Sequence, residues 1–256
     1  DGGGQGQPCG HSRFGVSNNV FHRVKSLAMS LVSVSLFRYP PRHVLWALSR
    51  MQLALPSLAR TPGLTFFKLM GSGGGNGFSI WPNFRRYALL GVWADDAACD
   101  AFYAESPVLG GMRERAEAML TLRLRPFQAH GLWDGLAPFA PAPSLRPEPG
   151  QRVAILTRAR IKAAKAAQFW RYVPAASAAL GQHPDALLHV GVGEWPIFYQ
   201  ATLSVWKDIA AVKAYAYQDP AHAAVVRKTR ETGWYAEEMF ARFVVERMEE
   251  EGAMRP

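Results

Sequence analysis

Two stretches of this 256-residue chain decide how it folds: VWADDAACDAFYAESP at residues 92–107 and VWKDIAAVKAYAYQDP at residues 205–220. At a constant offset of 113 they share Val, Trp, Asp, three Ala and Pro. A repeat longer than a hundred residues exceeds any solenoid unit and marks a duplicated small domain.

Working outward from the first copy, alternation predicts a strand over 32–39. Val44, Leu48, Met51 and Leu55 then follow at helical spacing up to Pro56 and the Thr61-Pro62-Gly63 stop. A strand over 64–70, the Gly-rich loop 71–77 and a strand over 87–93 come next. Asp95 or Asp96 caps a helix that breaks at Ser106-Pro107 and resumes through Met112 to Ala118, before a strand over 120–127. The second copy repeats the order with strands over 153–157, 187–192, 199–206 and 242–246. Its helices span 163–180 and run from 209 to an Asp219-Pro220 break.

Each copy reads as a ferredoxin-like βαββαβ unit with helices on one sheet face. The expected fold is α+β: two such units forming a single-chain dimeric α+β barrel. The halves are 29–137 and 151–248, joined by a Pro-rich linker at 138–150 and followed by a tail at 249–256. Residues 1–28, rich in Gly, Asn, Gln and Ser, read as a disordered or upstream segment, with Met29 as the natural start.

Hydrophobic residues make up 49% of the chain, which excludes disorder for most of it. No window approaches the ~20 apolar residues of a membrane-spanning helix. Net charge is +9, of which residues 1–28 carry +2, an excess that suits anionic lipid, an acidic protein or nucleic acid. Cys9 and Cys99 form neither a disulfide framework nor a thiolate metal site, which fits a reducing, cytoplasmic setting.

The Gly-rich loop lacks the Gly-Lys-Ser/Thr of a phosphate-binding loop and lies between strands, so it reads as a hairpin or a ligand-gating flap. The RNA-binding strand consensus is missing from both halves, so no nucleic acid is expected. There is no HExxH, CxxC pair, GxSxG or Cys-His arrangement. Histidine remains. His183 sits in a Gly-Gln-His-Pro turn and reads as solvated, and His189 alternates along a strand. His222 stands where offset 113 places Leu109 in the first half. It reads either as a ligand in a single evolved pocket or as a surface helix histidine beside Asp219.

Several ordered motifs resemble the spheroidene monooxygenase family of carotenoid oxygenases. They are Leu58 to Gly63, Phe67-Lys68-Leu69 with Gly71-Ser72-Gly73, and Trp133-Asp134-Gly135 with Pro138-Phe139. Gly191-Val192-Gly193-Glu194 with Gln200, Ser204-Val205-Trp206, and Gly233 to Glu238 complete the set. The likeness spans about 30–245. It implies a haem-containing, dioxygen-dependent enzyme that oxidises C-2 of an acyclic carotenoid to a hydroxy and then a keto product. Reduced ferredoxin and its reductase are the implied donors. On this resemblance His222 is the expected axial ligand and iron site, with His189 second. Arg38, Arg158 and Lys68 would neutralise porphyrin propionates or be ordinary edge-strand charges. Gln200 would contact dioxygen and Trp206 would wall the pocket, although Trp93 at the same repeat position argues for a core role. Trp234 and Tyr235 would line a carotenoid channel or pack the last strand. A bilayer-resident substrate implies a cytoplasmic enzyme in peripheral contact with the inner or photosynthetic membrane. The alternatives are a non-catalytic haem- or carotenoid-binding barrel, and a cofactor-free monooxygenase of the same fold.

Overall fold

The aspartate shared by the two repeats caps a helix in both. Asp95 accepts from the Ala98 amide and Asp208 from the Ala211 amide, each at 2.8 Å, satisfying a donor that the first helical turn leaves open. The shared tryptophans are also equivalent. Trp93 donates its indole N–H to Ser33 at 2.8 Å and Trp206 donates to Ser204 at 2.9 Å, so both rings are buried with their one polar atom satisfied.

The computed structural model describes residues 30–74, 79–195, 197–218, 227–229 and 231–254. The first half runs β1 (Leu31–Arg38), α1 (Val44–Leu53), α2 (Leu55–Ala59), β2 (Leu64–Gly73), β3 (Pro82–Trp93), α3 (Asp96–Glu105), α4 (Pro107–Arg115) and β4 (Ala118–Gly131). The second runs β5 (Val153–Ile161), α5 (Ala166–Gln182), β6 (Ala186–Trp195), β7 (Tyr199–Trp206), α6 (Ile209–Gln218) and β8 (Tyr235–Glu251). Residues 1–28, the Asp219-Pro220 break and His222 lie outside the described residues.

The strands close into an antiparallel barrel in the order β1-β3-β2-β6-β7-β5-β8-β4. Each half contributes a ferredoxin-like sheet, β2-β3-β1-β4 and β6-β7-β5-β8, so the duplicated α+β barrel is the fold. Two seams join the halves. The long one pairs β4 with β8 from Met119↔Glu251 to Gly131↔Met239; the short one pairs Gly71 with Gly193 and Ser72 with Val192.

Strand alternation divides the side chains into two layers. Val34, Leu90, Leu122, Leu156, Leu203 and Phe243 face the barrel interior. The opposite face meets the helices. The linker is anchored rather than free: Phe139 is buried in the interior cluster, its ring 5.2 Å from Phe243.

The last strand is much longer than the predicted 242–246. It extends through Glu251, which corrects the expected start of a tail at 249. Six glutamates among its residues mask the inward Met239, Ala241, Phe243 and Val245, and pairing along β4 rather than local propensity extends it. The Gly-rich segment is the arm of a hairpin, with Gly73 opposite Pro82; its residues 75–78 lie outside the described residues.

Candidate active site

The two helix-facing layers differ. In the first half it is one continuous cluster containing Phe37, Leu58, Leu89, Trp93, Phe102 and Met119. In the second, the described residues form two clusters, one around Trp206 and Tyr215 and another around Phe169 and Trp234. Between them lies a cavity of about 250 Å³ lined by residues from both.

Strand register shows how the hollow arises. Trp93 pairs with Leu31 and Trp206 with Val153, so matching the tryptophans matches the strands. Phe37 then corresponds to Ala159, and Tyr87 and Leu89 correspond to Gln200 and Thr202. Through their β3 and β7 partners, Phe67 corresponds to His189 and Leu69 to Gly191. Five bulky side chains of the filled half are thus Ala, Gln, Thr, His and Gly in the hollow half, and all five of these line the cavity; of the bulky five, Leu89 is packed away from every cavity, while Phe37, Phe67, Leu69 and Tyr87 also border the spaces described below.

The floor carries the hydroxyls of Thr157, Thr202 and Ser204, the Gln200 amide and the His189 imidazole; Phe169, Tyr172 and Tyr215 contribute aromatic walls. Arg242 stands at the rim. Its Nη1 donates to Gln128 at 3.2 Å and its guanidinium lies 5.2 Å from the Phe240 ring, while its buried Nε has no hydrogen-bond partner. No carboxylate is among the described lining residues. Burial raises the Tyr235 phenol above its ordinary value, outweighing the Thr229 hydrogen bond, so the wall presents a neutral hydroxyl at neutral pH. The described lining therefore suits an apolar ligand and includes no paired carboxylates of the kind acid–base hydrolysis uses.

Two further cavities adjoin the first. One of about 550 Å³ shares Gln200 with it, and one of about 330 Å³ shares His189. Gly193 makes room for Gln200: a Cβ there would lie 3.0 Å from Gln200 Nε2 and 2.6 Å from the Tyr199 carbonyl oxygen.

Of the residues singled out from sequence, His189, Gln200, Trp206, Trp234 and Tyr235 converge on the first cavity. Trp206 acts as a wall, its N–H committed to Ser204 as Trp93's is to Ser33. The core and lining readings of Trp234 hold together: it is fully buried beside Phe169 and faces the cavity. His183 is not solvated but half-buried against Trp206 and Tyr215. Burial pushes the Cys99 thiol up to about 11, which makes it a packing group rather than a nucleophile.

Arg38, Arg158 and Lys68 do not line the first cavity. Arg38 pairs with Glu117 at 2.7 Å. Arg158, 1% exposed, alternates on β5 with the cavity residues Thr157 and Ala159, and so faces the barrel interior. There it joins Lys68 in a plug closed by Asp134, Glu194 and Glu237. Arg158 pairs with Glu237 and, at 2.8 Å, with Asp134; Lys68 pairs with Asp134 and, at 2.6 Å, with Glu194. Trp133 donates to Glu194 at 2.8 Å from beneath. The Asp134 and Gly135 amides donate to Glu237 at 2.9 and 2.8 Å from a turn whose two central residues have φ of 52° and 77°.

No protein-family model matches the chain. A spheroidene monooxygenase from Rhodobacter capsulatus is 39% identical over 84% of this chain and 90% of its own length. Another, from Cereibacter sphaeroides, is 35% identical over 85% of this chain and 67% of its own. Among solved structures, aldoxime dehydratase in complex with butyraldoxime superposes with a TM-score of 0.54 at 11% identity, covering 85% of this chain and 79% of that one; this likeness concerns the fold alone. The class is thus a monooxygenase built on a duplicated α+β barrel with one helix layer hollowed out. More particularly, the chain belongs to the spheroidene monooxygenase family.

Proposed function

We propose that the chain oxidises an acyclic, spheroidene-like carotenoid at C-2 with dioxygen, and that the cavity of the second half is where oxidation occurs. The observation that carries this reading is the replacement of five filling side chains by residues that open a largely apolar space, in a chain whose relatives are spheroidene monooxygenases. Insertion of one oxygen atom into a C–H bond leaves the other to be reduced to water. This requires two electrons, in our reading from reduced ferredoxin and its reductase, and two protons from solvent. A second oxidation at the same carbon gives a geminal diol, which loses water to the ketone.

The residues present fit a haem as the oxygen-activating group. His189 offers an imidazole at the wall, Arg242 a guanidinium whose buried Nε is unsatisfied and suits a carboxylate, and the aromatic walls suit a macrocycle. Bound there, haem would supply dioxygen binding and activation. Gln200, held over Gly193, would donate its amide N–H to an oxygen atom, while Trp206 and Tyr215 exclude water and orient the apolar chain. Two histidines enter the reading as the residue that would hold the haem: His189 on the cavity wall, and His222, which lies outside the described residues.

Absorption spectra of protein purified with haem supplied test this step. The wild type is expected to show a Soret band, and one of His189→Ala and His222→Ala to shift or lose it, which assigns the ligand. Absence of a Soret band from the wild type would overturn the haem step and favour a cofactor-free oxygenase.

A further inference from the structure

The second cavity opens where the molecule exposes much of its apolar surface. Six of the ten exposed large apolar side chains among the described residues lie on α1 and the β2–β3 hairpin: Leu45, Leu48, Leu53, Ile80, Trp81 and Phe84. Leu48, Ile80 and Phe84 line the cavity mouth. Leu45, 80% exposed, is one turn before Leu48 on the same helix face, and Trp81, 76% exposed, stands between Ile80 and Pro82. Exposed side chains of this size gathered around one opening mark an interaction surface.

Charge indicates what it meets. Residues 30–94, which build α1 and both hairpin strands, contain seven arginines and lysines and no aspartate or glutamate; three of the seven are committed elsewhere, Arg38 and Arg85 to Glu117 and Lys68 to the plug. Arg42 and Arg60 in this stretch are exposed. Apolar side chains of the Leu, Trp and Phe type with arginine around them suit the interface of an anionic bilayer. No helix among the described residues is long and apolar enough to cross a membrane, and this patch needs none.

The inner end of the cavity meets the oxidation site, because Gln200 walls both spaces. We propose that α1 and the β2–β3 hairpin dock on an anionic lipid surface, and that an extended apolar polyene passes from the lipid through the second cavity to Gln200. The filled half would thus be the membrane-facing half and the hollow half the reacting one. The docking stands on the patch and its charge; the identity of the passing molecule rests on the oxidation reading above.

The test is flotation of the full chain with vesicles of phosphatidylcholine, with and without phosphatidylglycerol, beside the double variant Leu45→Glu/Trp81→Glu. Both residues lie outside the cavity walls. The wild type is expected to float with the anionic vesicles and the variant to bind them about tenfold less or weaker still. Turnover of detergent-dispersed carotenoid should be equal in the two proteins, and turnover of vesicle-borne carotenoid should fall in the variant. A wild type that fails to float, or a variant that floats as well as the wild type, would overturn docking; so would a wild type that captures an acidic protein and no vesicles. Vesicle binding lost in the variant, with no turnover by either protein in detergent, would uphold docking and sink the oxidation reading.

Discussion

Gly191→Leu combined with Thr202→Leu is expected to lower carotenoid turnover at least about 100-fold while leaving the protein folded. The two leucines restore what the first half carries at the equivalent positions, Leu69 and Leu89, and place them in the cavity floor. Neither change removes a charge or a helix cap, and each adds apolar volume to an open space, so the circular dichroism spectrum should stay native. The mirror substitution separates site from scaffold. Leu89 is buried in a continuous cluster, so Leu89→Ala should cost about 2–5 kcal/mol of stability and keep full turnover per folded molecule. Turnover and denaturant melts on both proteins check the pair. Undiminished turnover by the filled variant would remove the cavity from the reaction.

Arg158→Met is expected to be the most destabilising single change, at about 3–5 kcal/mol. The side chain is 1% exposed and faces Asp134, Glu194 and Glu237, and its loss leaves Glu237 with backbone partners alone. In a domain of this size that corresponds to a fall of about 10 °C in melting temperature. The plug also shapes the pH dependence. Burial disfavours the Glu237 carboxylate, but the Gly135 and Asp134 amides and Arg158 outweigh it and hold the carboxyl below its ordinary 4.5. A depressed acid contributes stability above its unfolded value and loses it as pH falls through the folded one. Lys68 is the opposite case: burial opposes its charge, hydrogen bonds to Asp134 and Glu194 prevail, and its pKa lies above 10.5. Its contribution is complete below 10.5 and is lost as pH rises through the folded value. Urea melts across pH should therefore show the Arg158 effect in full at neutral pH and a smaller difference between wild type and variant once pH falls through the folded value of Glu237.

The duplication, the βαββαβ order, the helix breaks at Pro56 and Ser106-Pro107 and a cap at Asp95 or Asp96 were legible because each is a local pattern. The hollow was not. Gly71 pairs with Tyr87, sixteen residues on, whereas Gly193 pairs with Gln200, seven on, so the first half's hairpin is nine residues longer. The offset is consequently 122 along β1 and β2 and 113 along β3, and the offset of 113 read from the repeat cannot align Phe67 with His189 or Phe37 with Ala159. A search that let the offset change at the Gly-rich loop would have found them. Arg158 read as a propionate partner or an edge charge because its partners come from the Trp133 turn, β6 and β8, which only barrel closure brings together. The family motifs around Lys68, Trp133, Glu194 and Glu237 belong largely to this plug, so the resemblance located the architecture more sharply than the reacting atoms.

The mass of the carotenoid product formed from spheroidene under isotopically labelled dioxygen, with a ferredoxin reducing system, by the wild type and by Gly191→Leu/Thr202→Leu, decides whether oxidation occurs in the cavity of the second half. The wild type is expected to give a hydroxylated product that carries one labelled oxygen, and the filled variant almost none. Product without label, or equal labelled product from both proteins, would contradict that expectation.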